Sequence, residues 1–542
     1  MNIDLKLDSE NIGGIATAIN NVRAMFGREK SETLLEHCSV LKKFIINCIN
    51  RDNDDVYYCL LFNLASTYVD IASIDGDEYI TDLGLDIFNE YEKIFVELIP
   101  KQAFYYNIAN ALANKLPNNT PSQEGFYSVE KLVEVKNYQW KAIKAAKSDY
   151  VEPLLELEVN LANTLKRQFR VTESLNLYNK VNDISQDIPE CWYNRALTLE
   201  YLSQMSGIYS IRLIEEIIHC YSKAESLESN QLGIKKYSRS RIDDLSKKLN
   251  ELYLDTDKDE DDKEITESEF ESFSEYRKFC VTNNLTLSEH GLYCNCSVVE
   301  RDELVIPTNK GLYGDFVIPM ELALNRLKSE FSLARRMYFE YITDHDAQGV
   351  DYETCYSNLH NDEVVSINVE KLRTTFKHCF SILDKIAVAT CELYDIYPKN
   401  NNVYFPSFWQ LDQNNRREKF ESIKNPGLLA LYSIATDLNE RKDGEWSFYK
   451  IIRNYLEHLF LVVHKEDIPI DMYDSYKFKE KIHFVKESDF VEHCELLMQF
   501  TRSAIFSFVF MVRHKSNSEN AENTVGIPRV ITTLDFRESA DI

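Results

Sequence analysis

The chain predicts an all-α protein, an N-terminal array of helical repeats followed by a separate helical bundle. Three observations carry that expectation. Apolar residues recur at three- and four-residue steps along most of the 542 residues, the pattern of one-sided helices. Only 15 Gly and 12 Pro are present, too few for the many turns of an all-β design. A short triplet, Asn-x-Ala, recurs four times in the first part of the chain.

Composition sets the outer limits. Hydrophobic residues make up 44% and charged residues 27%, ordinary for a folded protein long enough for two or more domains. The net charge is −27. Non-specific nucleic-acid binders carry the opposite sign, because their affinity comes from neutralising phosphates, so an RNA site here must be a local basic pocket. The first residues, MNIDLKLDSENIGG, lack the apolar core and basic lead of a secretory signal. Ala504 to Val512, bounded by Arg502 and Arg513, is too short to span a bilayer. The expectation is a cytoplasmic protein with reduced thiols and no membrane partner. Cys294-Asn295-Cys296 is the only close pair among the 12 cysteines, with no second pair nearby to complete a zinc site. No metal and no cofactor is expected.

The array comes first, over residues 1–254. Its triplets are Asn63-Leu64-Ala65, Asn107-Ile108-Ala109, Asn160-Leu161-Ala162 and Asn194-Arg195-Ala196, each followed three positions later by Tyr68, Leu112, Leu165 or Leu199. A small residue lets paired helices approach, and the larger one fills the next turn. The last two copies are 34 residues apart. Leu161-Ala162-x2-Leu165, Ser174-x3-Tyr178 and Trp192, punctuated by Pro153 and Pro189, resemble tetratricopeptide (TPR) repeats over roughly residues 55–250. The earlier spacings of 44 and 53 residues depart from that family's period. The resemblance implies either a concave face that binds a peptide or protein partner, or a scaffold for the rest of the chain.

Residues 255–269, DTDKDEDDKEITESE, read as an acidic exposed linker or a solvated helix extension. Residues 270–318 are expected to form an extended lead-in. Between Cys294 and Pro319, short β-branched runs alternate with Gly and Pro, so a small hairpin fits. The bundle, residues 319–515, has helical periodicity over Met320–Ile342, Val369–Tyr394, Asn425–Leu438, Ser447–Val463 and Phe490–Val512. Leu372, Phe376, Phe380, Leu383 and Ala387 make one stripe of the second helix. Residues 516–542 read as a polar tail in which Val530–Leu534 could dock.

Arg followed by His after four to six residues occurs three times, as Arg212…His219, Arg373…His378 and Arg453…His458. Chance alone predicts roughly one such match, so context must choose. The first lies among packing residues of the array. In the second, Thr374 follows the arginine and has little reach. In the third, Asn454 follows the arginine and lies four residues before His458, so amide and imidazole share a helix face. The stripe Ile452, Leu456, Leu459 and Val463 would anchor that helix.

Here residues 319–515 resemble the HEPN superfamily of helical domains. Its ribonuclease members carry Arg, four to six residues, then His, with a polar residue after the Arg; Arg453, Asn454 and His458 match all three elements. The resemblance implies a metal-independent endoribonuclease. The RNA 2′-hydroxyl attacks the adjacent phosphate, leaving 2′,3′-cyclic phosphate and 5′-hydroxyl ends. His458 would act as base or acid and Arg453 would hold the phosphoryl oxygens. Arg453 and His458 lie roughly 140° apart around one helix, which favours a homodimer with one composite cleft. Glu457 either holds an arginine or faces solvent. TPR-like arrays joined to HEPN domains also look like bacterial conflict proteins, which implies a toxin or abortive-infection effector in anti-phage defence. Two rivals remain: an inert TPR–HEPN adaptor, and the HEPN half of a HEPN–nucleotidyltransferase pair. The chain has no nucleotidyltransferase signature and no phosphate loop of its own.

Overall fold

Caps and apolar stripes explain where the helices begin and what they bury. The computed structural model describes residues 12–26, 28–48, 54–117, 125–148, 154–207, 210–227, 232–254, 268–306, 316–343, 354–357, 362–398, 402–408, 411, 414–465 and 477–520. The protein is all-α, and one two-stranded sheet occurs among the described residues.

The N-terminal helices are α1 (Ile12–Ala24), α2 (Ser31–Cys48), α3 (Asp54–Asp75), α4 (Glu78–Glu90), α5 (Glu92–Leu98), α6 (Lys101–Asn114), α7 (Phe126–Ser148), α8 (Leu155–Arg167), α9 (Val171–Ile184), α10 (Pro189–Ser206), α11 (Ile211–Ser226) and α12 (Leu232–Leu254). There follow α13 (Glu275–Thr282), α14 (Val317–Thr343), α15 (Ile367–Tyr394), α16 (Phe405–Phe408), α17 (Asn414–Ser422), α18 (Pro426–Asp437), α19 (Tyr449–His458) and α20 (Glu487–Asn520). Strands β1 (Phe460–His464) and β2 (Ile482–Lys486) lie between α19 and α20.

Two compact units emerge. The first comprises Met1–Gln168, Leu177–Arg195 and Tyr221–Ser240; the second comprises Phe169–Asn176, Ala196–Cys220 and Arg241–Ile542. In the first, α1 to α6 enclose a core in which Phe62, Phe88, Phe95 and Phe104 pack edge to face, an arrangement that suits the ring quadrupoles. The alanine of every Asn-x-Ala triplet is fully buried, as close helix approach requires. Three of the four asparagines bond back to a carbonyl four residues earlier: Asn63 to Cys59, Asn107 to Ala103 and Asn194 to Glu190. Asn160 instead donates to Asn110 across 3.1 Å. Pro189 opens α10, where its missing N–H costs nothing. Pro153 lies outside the described residues.

The second unit is built on α14, α15, α18 and α20. Ser366 caps α15 and the whole stripe Leu372, Phe376, Phe380, Leu383 and Ala387 is buried. Asn425 caps α18, with Pro426 in its first turn. Gly427 lets α18 cross α20 almost backbone to backbone: a Cβ there would stand 2.4 Å from the Met511 nitrogen. Within α20, Glu487–Ser518 is long and apolar enough to cross a membrane, and 83% of its most apolar stretch is buried inside the protein. Two sets of buried charges are paired: Asp302 holds Arg277 at 3.0 Å and Arg335 at 2.7 Å, and Arg170 pairs with both Glu173 and Asp437.

Several expectations change. The helix expected over 447–463 ends at His458, because Leu459 leaves helical geometry (φ −136°, ψ −149°) and Phe460–His464 forms β1. An aromatic followed by β-branched residues suits a strand once a partner is present. That partner is β2, which runs parallel to β1 with Phe460 opposite Ile482. Val463 is buried as expected, but from the strand; Leu456 and Leu459 are only half-buried. The hairpin expected between 294 and 319 does not form among the described residues there. A 3-10 turn, Ser297–Glu300, and the first turn of α14 lie in this stretch, another 3-10 turn, His290–Leu292, comes just before it, and residues 307–315 lie outside the description. The lead-in also contains α13. Of the acidic stretch, residues 255–267 lie outside the described residues, as do residues 521–542 with Val530–Leu534; the tail's first residues continue α20.

Candidate active site

The helix α19 is strongly one-sided. Tyr449 is fully buried against the rings of Phe376 and His493, at 5.5 and 5.2 Å, and Ile452 is buried beside it. These residues seat the N-terminal half of the helix on α15 and α20. On the other face Asn454, Glu457 and His458 are exposed. Five residues at ~100° per residue separate Arg453 from His458, so the two cannot share a face.

Arg453 turns towards α15. Its guanidinium is 2.9 Å from the Asp384 carboxylate and three-quarters buried. It lies over the Phe380 and Tyr404 rings, at 5.5 and 5.8 Å from their centres. The other Asp384 oxygen accepts the Phe405 backbone N–H at 2.8 Å. Burial pushes the Asp384 carboxyl above the usual carboxylate range, against the opposing pull of the Phe405 amide and Arg453. The arginine is therefore held from below by a carboxylate and flanked by aromatic faces.

Among the described residues, no hydrogen bond joins Asn454 to His458, and both side chains stand open to solvent. Glu457 is exposed, and no ion pair to it occurs among the described residues. Three groups that sequence reasoning did not single out also shape the site: Asp384, Tyr404, and the segment 477–486. That segment holds four lysines and one glutamate, in a chain with a net charge of −27. Tyr455 of α19 fastens it in place: its hydroxyl donates to the Glu480 carbonyl at 3.2 Å, and its ring lies 5.1 Å from that of His483. Burial holds the His483 imidazole below the usual range. The lysine run is readable in the sequence, but nothing local ties it to Arg453.

The other two matches sit differently. Arg373 pairs with Glu370 and donates to the Leu461 carbonyl of β1 at 2.8 Å, so it braces the strand that follows α19. His378 is half-buried on the same helix. Arg212 reaches Glu215 at 4.0 Å on α11, where His219 is half-buried. A cavity of about 440 Å³ in the second unit, lined by Glu289, His290, Tyr293, Glu303 and Arg513 among others, contains none of the three motif residues. Its arginine is already paired with Glu289 at 2.6 Å. Among the described residues, no three His, Cys, Asp or Glu side chains are grouped to hold a metal ion.

The helix that carries Arg453, Asn454 and His458 lies late in a helical bundle, and comparison with known families gives a match over that bundle. Residues 314–515 match the family model of LA2681-like HEPN domains. The match lies in the C-terminal part of the chain and supports a HEPN domain there. No curated protein matches the chain.

Proposed function

We propose that the protein is a metal-independent endoribonuclease whose site is built on Arg453, Asn454 and His458. The observation that supports this most is the partition of α19 within the HEPN match. One face is locked into the core, while Asn454 and His458 are held outward on the helix that Tyr455 fastens to the segment 477–486, which carries four lysines. His458 takes the 2′-hydroxyl proton or returns one to the departing 5′-oxygen. Arg453, braced by Asp384, offers its guanidinium to the phosphoryl oxygens. Asn454 hydrogen-bonds substrate or imidazole once RNA is seated.

Because Arg453 faces α15 and His458 faces solvent, one subunit places acid–base and phosphate-binding groups on different sides of a helix. A homodimer in which each Arg453 serves the other subunit's His458 completes the site. The helical array, residues 1–254, binds a protein or peptide that restrains or triggers cleavage, as a toxin or abortive-infection effector in anti-phage defence requires. The decisive experiment compares RNA cleavage by the wild-type protein and His458→Ala without divalent ions.

One observation favours a second reading, an inert HEPN adaptor. Arg453 already has a counter-carboxylate in Asp384, which offsets its charge for phosphate. Asp384→Ala separates the two, because a brace lost lowers cleavage and a competitor lost raises it.

A further inference from the structure

Phe460 and Phe478 are 55% and 54% exposed, although Phe376, Phe380 and Phe490 in the same unit are fully buried. Their rings lie 5.3 Å apart with planes at 48°. Phe460 opens β1, two residues after His458, so their Cα atoms are within about 7 Å of one another. Along β1 the next residue, Leu461, is buried, so the pleat turns Phe460 to the outside. Phe478 lies in the 3-10 turn Lys477–Lys481 that leads into β2. Lys481 is exposed and Lys479 and Lys486 are half-buried on the same short segment. The Tyr455 contacts hold this turn against α19.

We propose that Phe460 and Phe478, with Lys479, Lys481 and Lys486, form a stacking platform for single-stranded RNA that seats the bases next to the scissile phosphate at His458. The proposal rests on the ribonuclease reading above and names its substrate class. Exposed aromatic faces accept any unpaired base, and lysines track the phosphates between successive bases. Paired bases would hide the faces that stack, so a duplex should be a poor ligand. Charge argues for RNA over a second copy of the chain. A second copy seated on these two rings themselves would bring lysine against lysine, whereas a polyanion neutralises them, so the dimer that completes the cleft at His458 leaves the rings open.

The test uses the full chain in EDTA and a fluorescent single-stranded RNA with 2′-O-methyl riboses, which lacks the attacking hydroxyl and stays intact. Binding is read by anisotropy. Phe460→Ala and Phe478→Ala should each weaken binding about tenfold, and Phe→Trp at either position should restore it. Lys481→Ala should lower the salt dependence by about 0.7 in log–log slope. Unchanged affinity in both phenylalanine variants overturns the platform and leaves the ribonuclease reading standing if the wild type still cleaves RNA. Variants that keep RNA affinity but change the sedimenting species show a subunit contact and also overturn it. A wild-type protein that neither binds nor cleaves RNA brings down both readings together.

Discussion

Arg453 reaches from α19 to Asp384 on α15, with 2.9 Å between guanidinium and carboxylate. Asp384 is itself fixed by the Phe405 amide, so the arginine's position is set by a side chain outside the motif. Two consequences of this pair are opposite in sign and can be told apart.

If Asp384 pre-positions Arg453, Asp384→Ala should lower kcat/KM by roughly tenfold or more, because small misplacements of a clamp are costly. Burial holds the Asp384 carboxyl above the usual range, so the wild type loses this brace at a higher pH than an exposed carboxylate would allow. The gap between wild type and variant should therefore close on the acid side of the pH–rate profile. Higher activity in the variant would mean that Asp384 sequesters Arg453, which supports the inert-adaptor reading.

Assembly makes a second expectation. Mixing Arg453→Ala with His458→Ala subunits should recover part of the cleavage that each variant lacks, since the mixed dimer has one intact composite half. Fully active protein that sediments as a monomer contradicts the composite cleft.

How much of this was legible varied from element to element. The buried stripe of α15 and the Asn425-Pro426 start of α18 follow from local periodicity and cap chemistry, so they could be read directly. The end of α19 could not. Leu459 to Val463 is an apolar run that suits either helix or strand, and the strand wins only because β2 pairs with it from beyond residue 481. Asp384 stayed hidden for a related reason: its pairing with Arg453 is a tertiary event between helices. The lysine run 477–486 was visible as composition, but only tertiary contacts, those of Tyr455 and the pairing of β2 with β1, bring it towards His458.

The buried Asp302 cluster predicts an acid-dependent loss of stability. Burial alone would raise its carboxyl, but Arg335, Arg277 and the Leu287 amide outweigh burial and hold it well below the usual range. A depressed folded pKa means stability that is present above the unfolded value of about 3.9 and lost as pH falls below it. Asp302→Asn should cost about 3–5 kcal/mol in denaturant unfolding at pH 7, because two arginines lose their partner. The difference from wild type should shrink below about pH 4. A constant difference across that window would show that packing, not charge, sets the cost.

A thiol offers a separate check on the lead-in. The hydrogen bond from Cys294, outweighing burial, and His290 at 3.9 Å hold the Cys296 thiol well below the ordinary range. Its alkylation rate, followed by mass spectrometry, should be nearly flat from pH 6 to 8, whereas a free cysteine in solution gains about tenfold per pH unit there. A parallel rise at Cys296 would rule out the arrangement of these three side chains.

The central claim is metal-free RNA cleavage at His458. The most direct measurement incubates single-stranded RNA with the wild-type protein and His458→Ala in EDTA and identifies the new ends. The expected result is cleavage by the wild type alone, leaving 2′,3′-cyclic phosphate and 5′-hydroxyl ends. Equal cleavage by both proteins, 5′-phosphate ends, or activity that appears only with a divalent ion would contradict it.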